Sequence, residues 1–338
     1  MERGWGEVLS DDNSNNISTK EIPQKENMAS TSLTTPARPP LQVYIVVLIG
    51  AVAVSFAAIF IRLAQAEHIP SLFIAAARLT IAALVLTPVI VRRHLPEIRA
   101  LKRGDLVLAL VSGLFLALHF ATWILSLEYT SVLISVVLVT TNPLWVAVLE
   151  VVFLRARLGR TVIIGLLIGF AGSLIAGLSS SGAASPGKDP LLGSILAFTG
   201  AICVAIYLVI GRKLRGRLSL LPYIWLVYGC GALILLAAVI LTRIPITGYS
   251  QQGYVWLVAL ALIPQLIGHS SFNYALKYLP ATLVGIVNQL EPVLSAVAAI
   301  IVFQEIPGEL QLVGSVAILA GVVLASIGQN QSSSGNSQ

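Results

Sequence analysis

Residues 127–144 read LEYTSVLISVVLVTTNPL, and residues 276–293 read LKYLPATLVGIVNQLEPV. These stretches open a longer match, because residues 127–178 lie over residues 276–327 at a constant offset of 149 with no gap. The matched positions include a tyrosine, a proline and three glycines: Tyr129 with Tyr278, Pro143 with Pro292, Gly159 with Gly308, Gly165 with Gly314 and Gly172 with Gly321. Residues with special backbone roles rarely share one register by chance, so the sequence predicts an internal duplication.

The composition of the chain excludes an ordinary water-soluble domain. It is 57% hydrophobic and 11% charged, with a mean hydropathy of +0.89, whereas soluble domains carry roughly 25% charged residues. Apolar runs of about 20 residues, long enough to cross a bilayer core as helix, recur along the chain. We place ten at 43–61, 72–91, 106–127, 132–154, 161–178, 191–211, 223–241, 253–276, 282–303 and 310–327. The runs are continuous and do not alternate, which favours helices over β-barrel strands.

The predicted spans divide equally between two repeats. Residues 41–178 and 190–328 hold five spans each, and residues 179–189 form a periplasmic or extracellular linker. The polar segments 1–40 and 329–338 are predicted to be disordered cytoplasmic tails. An odd number of spans per repeat turns the second copy upside down. The predicted fold is therefore an all-α integral membrane protein with ten transmembrane helices in two inverted five-helix repeats.

Lysine and arginine are concentrated in alternate loops. Thirteen lie in loops that share one side of the membrane, and three lie on the other side. Because basic loops stay in the cytoplasm, both termini are predicted to be cytoplasmic, in a multi-pass protein of the plasma (inner) membrane. The net charge of +6 is explained by these loops and gives no support to nucleic-acid binding.

Several functional classes leave no signature in this sequence. Cys203 and Cys230 fall in predicted spans without a Cys-x-x-Cys or Cys/His cluster, so neither a metal site nor a disulfide framework is predicted. A glycine-rich phosphate loop is also missing from the sequence, which argues against an ATP-driven pump, and no cofactor is expected. Duplicated sets of membrane spans are instead typical of secondary transporters, whose binding site lies where the repeats meet.

Motifs in both halves of the chain carry a family resemblance. They are YALKYLPA at 274–281, LEPV at 290–293, Glu305, Gly314 and Gly321 in the second half, and AAAR at 75–78, SLEYT at 126–130 and Asn142-Pro143 in the first. Over roughly residues 43–327 the chain resembles the EamA-type transporters of the drug/metabolite transporter superfamily. Ala156 stands opposite Glu305, and Asn142 stands opposite Glu291. These two departures argue against a mechanism that uses both carboxylates symmetrically.

The resemblance implies a central cavity between the repeats, with alternating access across the membrane. Members of this family carry amino acids, nucleosides, drugs and other small metabolites, often outward. We therefore expect a secondary active transporter for a small-molecule substrate, surrounded by membrane lipid, that works in the direction of export and is not an enzyme. The alternatives are an uptake carrier of the same architecture, a channel and an integral-membrane enzyme.

Polar residues inside the spans are the candidates for the binding site, because each costs free energy in lipid unless it faces a cavity or a partner. Glu291 lies near the middle of its span, and Pro292 breaks the helix there and frees the carbonyl of Asn288. We expect Asn288, Gln289 and Glu291 to line the cavity, with Glu291 as the candidate for proton coupling. The alternative is a structural acid bonded to a neighbouring helix.

Asn142 and Pro143 repeat this arrangement in the first half, where Pro143 breaks the helix and frees the carbonyl of Val139. Asn142 is therefore a second cavity candidate. The alternative is a structural hydrogen bond between helices, which is worth about 0.6 to 2 kcal/mol.

Two sets of polar residues share a spacing of four along predicted helices. His119 and Trp123 lie in the third span, and Gln265, His269 and Asn273 lie in the eighth. We expect all five side chains to face the cavity, where a histidine could carry a proton and Trp123 could stack on an aromatic or cationic solute. The alternative is that the histidines bond to carbonyls and the tryptophan packs.

Arg78 is the basic residue that lies well inside a span. A guanidinium in that position must reach water, a carboxylate, carbonyls or an anionic substrate. Snorkelling to the membrane surface is one option, because Arg78 is about two turns from the end of its helix. Glu150, by contrast, is predicted to lie near the cytoplasmic end of its span and to reach water or basic head groups. The glycines of the fifth and tenth spans are predicted to let helices pack closely.

Overall fold

Long apolar runs form helices in the computed structural model, which describes residues 39–129, 135, 138–179, 189–291, 293–294 and 309–335. The described residues contain no β-strand. We number the α-helices in chain order: α1 Leu41–Ser55, α2 Ala57–Ala66, α3 Ser71–Val89, α4 Leu95–Arg99, α5 Arg103–Tyr129, α6 Asn142–Leu154, α7 Arg160–Ser179, α8 Pro190–Arg215, α9 Leu220–Leu241, α10 Gln251–Leu260, α11 Ser270–Ala275, α12 Ala281–Asn288 and α13 Glu309–Gly335. Wider π-helical turns link α3 to α4 at Ile90–His94 and α10 to α11 at Ala261–His269.

Within the described part of the chain, six helical stretches are long and apolar enough to cross a membrane. They are Leu41–Ala66, Ser71–Arg99, Arg103–Tyr129, Leu191–Arg215, Leu220–Leu241 and Gln251–Ala275. Three shorter apolar helices lie at Asn142–Phe153, Arg160–Gly172 and Leu312–Ala325. The chain is therefore an all-helical, multi-pass integral membrane protein. The predicted fourth and ninth spans include residues outside the described part, and α13 continues past the predicted tail boundary at residue 329 to Gly335.

Helix starts follow local sequence signals. Pro190 opens α8, where the missing N–H of proline has no cost, and the Asp189 carboxylate accepts a hydrogen bond from the N–H of Leu192 at 3.0 Å. Ser250 caps α10 in the same way, because its hydroxyl accepts from the N–H of Gly253 at 2.9 Å. These caps satisfy N–H groups that the first helical turn leaves free.

The prolines inside the spans change the helices in different ways. Pro143 lies in the first turn of α6, after a turn at residues 140–141. The carbonyl of Val139 accepts a hydrogen bond from the side-chain amide of Asn142 at 3.1 Å. Pro264 lies within the π-helical turn between α10 and α11, which is the distortion that a proline inside a helix produces. Pro292 lies outside the described residues.

The helix ends gather at two opposite ends of the bundle. At one end, Arg217 forms an ion pair with Asp105 at 2.9 Å, and the Glu97 carboxylate accepts from the N–H of Ser219 at 2.9 Å. We call this the basic end. At the other end, the Glu67 carboxylate accepts from the Ser250 hydroxyl at 2.5 Å. These contacts agree with the alternation of loops that the sequence predicts.

Glycines bring α7 and α13 together as antiparallel neighbours. A Cβ atom added to Gly165 would lie 2.6 Å from the carbonyl oxygen of Gly321, and one added to Gly172 would lie 2.7 Å from that of Gly314. Real Cβ atoms do not approach so closely, so only glycine permits this backbone contact. The structure agrees with the packing role predicted for these glycines.

Candidate functional site

A fully buried arginine is the main polar feature of the helical bundle. Arg78 of α3 has no exposed surface, and its Nε donates to Oε1 of Gln265 at 3.0 Å. The guanidinium carbon lies 3.8 Å from the ring centroid of Phe120 on α5. Among the described residues, neither terminal nitrogen of Arg78 has a hydrogen-bond partner. This burial excludes snorkelling to the membrane surface.

Aromatic rings extend from Phe120 in two directions. His119 stacks on Trp123 with a centroid distance of 5.8 Å and an interplanar angle of 11°, as their spacing of four on α5 suggests. The ring of His269 meets Phe120 edge-on at 5.2 Å. Nδ1 of His119 lies 2.9 Å from the carbonyl oxygen of Gly200 on α8. These contacts join α5 to the π-helical turn that carries His269. The side chains of His119, Phe120, Trp123 and His269 are all nearly buried.

The π-helical turn determines how Gln265 meets Arg78. Gln265 follows Pro264 and is fully buried. Since its Oε1 accepts from the guanidinium, its Nε2 must point elsewhere, and within the described residues that nitrogen has no partner. Trp123 likewise has an indole N–H without a partner there. The cluster therefore offers donors: two terminal guanidinium nitrogens, one amide nitrogen and one indole nitrogen.

Asn273 belongs to a tyrosine network on the side of the cluster nearer the basic end. Its Nδ2 donates to the carbonyl oxygen of His269 at 2.8 Å and lies within hydrogen-bond distance of the Tyr207 and Tyr228 hydroxyls. The Tyr228 hydroxyl also lies 3.2 Å from that of Ser270. Both tyrosines are almost completely buried, and the sequence interpretation missed them. His119 and His269 lie 150 residues apart, and the same offset pairs Arg78 with Tyr228, a signal that could have found this tyrosine.

Asn142 and Gln289 pack against glycines of neighbouring helices. A Cβ atom added to Gly285 of α12 would lie 3.4 Å from Oδ1 of Asn142, and one added to Gly169 of α7 would lie 2.5 Å from Oε1 of Gln289. Both side chains are buried. Among the described residues, these two oxygens have no hydrogen-bond partner. Apart from the hydrogen bond of Asn142 to the Val139 carbonyl, these contacts lie where helices cross.

Glu291 is a neighbour of the arginine cluster. The residue is half-buried, and its carboxyl group hydrogen-bonds to the side chain of Asn288 and lies close enough to interact electrostatically with Arg78. Within the described residues, the two side chains form no ion pair at 4.0 Å or less. The predicted proton-coupling candidate therefore lies where its charge would influence Arg78 without neutralising it by direct contact.

Glu150 differs from the sequence expectation. It is only 2% exposed, so it does not reach water or head groups. Its carboxylate accepts hydrogen bonds from the N–H of Ala281 at 2.8 Å, the N–H of Thr282 at 3.0 Å and the hydroxyl of Thr282. Because α12 begins at Ala281, Glu150 supplies the acceptors that its first turn requires. The position of Glu150 near the end of its predicted span, from which contact with water or head groups was inferred, contains no information about this distant helix.

Comparisons with known proteins identify the kind of protein to which this geometry belongs. The model of the EamA-like transporter family matches residues 41–178 and again residues 191–327. Bacillus subtilis (strain 168) has a protein named uncharacterized transporter YyaM that is 25% identical over 61% of this chain and 68% of its own length. Its uncharacterized transporter YetK is 21% identical over 84% of this chain and 87% of its own length. A solved crystal structure shares the fold, with a TM-score of 0.72 and 18% identity over 86% of this chain and 98% of its own.

Proposed function

The chain belongs to the EamA-like transporter family, and we propose that it is a secondary active transporter for a small organic metabolite. The proposed substrate range is an amino acid, a nucleoside or a drug-like solute, carried by alternating access across the plasma membrane. Export is the proposed direction, on the family resemblance, and uptake by the same architecture is the alternative. Family membership favours transport over catalysis.

One observation supports a transport site most strongly: buried polar atoms that have no hydrogen-bond partner among the described residues lie where the two matched halves meet. Arg78 and Trp123 contribute such atoms from the first half, and Gln265 contributes one from the second. Buried polar groups in a folded protein are normally paired, because an unpaired one keeps its full desolvation penalty. A solute that enters between the halves would supply the missing partners.

Reciprocal contacts support inverted repeats. In the repeat register Gly165 corresponds to Gly314, and Gly172 corresponds to Gly321. The observed contacts join Gly165 to Gly321 and Gly172 to Gly314. Such an exchange is what a two-fold axis between the halves produces. It fits a ten-helix bundle in which one repeat rocks against the other around a central site.

The orientation of the bundle follows from its charges. Because the basic end carries most of the loop arginines and lysines, we assign it and both termini to the cytoplasm. A cysteine that replaces Ser181 should react with an impermeant thiol reagent added outside intact cells, and one that replaces Ala100 should not. The opposite labelling would overturn this orientation.

The proposal assigns two roles to the polar residues. Arg78, His119, Trp123, Gln265, His269 and Asn273 line the binding cavity with Asn142, Asn288, Gln289 and Glu291. Glu291 carries the coupling proton, since a carboxyl group near the cavity can exchange its proton when the cavity opens to water. In this proposal Pro143 and Pro292 act as the helix breaks that the sequence predicts in the two halves.

Flux into proteoliposomes tests the proposal. Purified protein should transport at least one solute from a panel of labelled amino acids and nucleosides with saturable kinetics, and an imposed pH gradient should drive its accumulation. Conductance without saturation would indicate a channel, and chemical change of the solute would indicate an enzyme. Saturable flux that does not respond to the pH gradient would support a carrier and contradict the proposed proton coupling.

A further inference from the structure

The edge of the Arg78 guanidinium that carries Nη1 and Nη2 is the strongest candidate for ligand binding in this bundle. Nε already donates a hydrogen bond to Gln265, and Phe120 covers one face of the guanidinium. The two terminal nitrogens form the remaining edge, and within the described residues they have no partner. A planar guanidinium presents this edge as a fork of parallel N–H donors, which matches the two oxygens of a carboxylate.

The surroundings of Arg78 exclude its usual structural partners. It is fully buried, so neither bulk water nor a lipid head group on the outer surface of the bundle can reach it. No carboxylate among the described residues lies within 4.0 Å of it, and Glu291 interacts only at longer range. The cation–π contact with Phe120 lies on the guanidinium face and leaves the in-plane N–H groups unused.

Two of the neighbouring unpaired atoms, Nε2 of Gln265 and the indole nitrogen of Trp123, are also donors, whereas Oδ1 of Asn273 is an acceptor without a partner among the described residues. Nε2 of Gln265 is identified as the donor end of its amide, because the oxygen end accepts from Arg78. The indole N–H of Trp123 can only donate. An anionic group rich in acceptors therefore fits this cluster better than a cation or a neutral donor. Since the described cluster holds one permanent positive charge, a monoanion matches it better than a phosphate dianion.

We propose that the substrate carries a carboxylate, which binds bidentately to Nη1 and Nη2 of Arg78 and accepts a further hydrogen bond from Nε2 of Gln265. This inference rests on the transport function proposed above and narrows its substrate class. Amino acids and other organic acids belong to this class, and nucleosides do not.

Binding to the purified full-length protein tests the substrate class without any transport measurement. The probes are benzoate and hexanoate, with benzamide and hexanamide as neutral controls of matched shape and inorganic phosphate as the dianion, all at about pH 8.5, where phosphate is mainly doubly charged. Both carboxylates should raise the unfolding temperature as their concentration rises, because a ligand that binds only the folded state stabilises it. The amides and phosphate should have little effect.

Substitution of the arginine locates the binding site. Arg78→Gln should weaken carboxylate binding by about ten- to hundredfold, the usual effect of losing a charged hydrogen-bond pair. Arg78→Lys should recover part of it. The exposed Arg62 provides the matched control, and Arg62→Gln should bind as the parent does. If Arg78→Gln does not fold, quenching of tryptophan fluorescence in the parent protein by benzoate but not benzamide, reduced in Trp123→Phe, supports binding of the carboxylate beside Arg78.

The outcomes separate this inference from the transport proposal. Equal responses to carboxylates and amides, stronger binding of phosphate, or no response to either carboxylate up to its solubility limit would overturn the inference. If a neutral solute still crosses proteoliposomes with saturable kinetics, the transporter proposal survives that result. If carboxylates bind through Arg78 but no solute of the panel is transported, the result supports the anion site and contradicts the transport proposal.

Discussion

The glycine contact between α7 and α13 and the polar cluster around Arg78 both join the two halves of the chain, but they differ in symmetry. At the glycine contact the halves contribute the same residue type, and each glycine meets the partner of the other. In the cluster, at an offset of 150, His119 matches His269, but Arg78 matches Tyr228 and Trp123 matches Asn273. The halves are alike where two backbones must approach, whereas in the cluster the histidines are alike and the donors that a ligand would need come from unlike residues.

The largest expected effect comes from filling the glycine contact. A Cβ atom added to Gly321 would lie 2.6 Å from the carbonyl oxygen of Gly165 and from the N–H of Gly169. Both neighbours are backbone atoms, so the helices must separate. Gly321→Leu should lower the free energy of unfolding by about 3 kcal/mol or more. Thermal unfolding and gel filtration in detergent measure the loss.

Gly229 provides the matched control for this substitution. A Cβ atom at Gly229 of α9 meets nothing within 4 Å, so Gly229→Leu should keep the parent's unfolding temperature within a few degrees. Similar behaviour of the two variants would contradict the close contact of α7 and α13.

A smaller loss of stability should follow from removing Glu150, which joins the halves asymmetrically. The residue that matches Glu150 at an offset of 149 is Ala299, so the second half offers no equivalent acid. Glu150→Ala would leave the buried N–H groups of Ala281 and Thr282 without their acceptor. This should cost about 1 to 3 kcal/mol.

The exposed Glu309 is the control for Glu150, and Glu309→Ala should leave the unfolding temperature unchanged. Glu150→Gln should lie between the parent and the alanine variant, because its amide oxygen still accepts. An unchanged unfolding temperature for Glu150→Ala would show that the start of α12 finds other acceptors.

The sequence predicts the symmetric part of this molecule better than the asymmetric part. Glycines in phase indicate helix contacts directly, since a missing side chain has one main use in a membrane helix. Glu150 and Tyr228 were missed because their partners lie on helices far away in the chain, and local spacing contains no information about such pairs. Arg78 was identified as a basic residue inside a span with snorkelling left open, and its contact with Gln265 depends on the π-helical turn around Pro264.

Glu291 allows a test of whether the cluster couples a solute to protons. Glu291→Gln removes the titrating group, so accumulation driven by a pH gradient should fall to equilibration while folding is kept. Because an ionised Glu291 competes with an anionic solute for the charge of Arg78, benzoate should also bind more tightly to the glutamine variant. Flux and binding measured from about pH 6 to about pH 8, a range that spans neutrality, test the two effects.

His119 and His269 are the controls for Glu291, since their rings lie in the same cluster and could also take up protons. His119→Gln and His269→Gln should keep the response to the pH gradient. If Glu291→Gln concentrates solute at the parent rate and a histidine variant does not, the coupling proton belongs to that histidine.

The smallest expected effect concerns a single N–H group in the asymmetric cluster. Trp123 stacks on His119, and its indole N–H has no partner among the described residues. The indole N–H of Trp145 donates to the Thr141 hydroxyl at 3.2 Å. Both Trp123→Phe and Trp145→Phe remove ring volume, but only Trp145→Phe also removes a hydrogen bond, so Trp145→Phe should lose about 0.5 to 1.5 kcal/mol more stability. Trp123→Phe should weaken benzoate binding by about two- to tenfold if the N–H serves the solute, and Trp145→Phe should bind benzoate normally. The crossed result, in which Trp123→Phe loses more stability than Trp145→Phe and binds like the parent, would assign the Trp123 N–H to the fold and leave Arg78 and Gln265 as the donors for the solute.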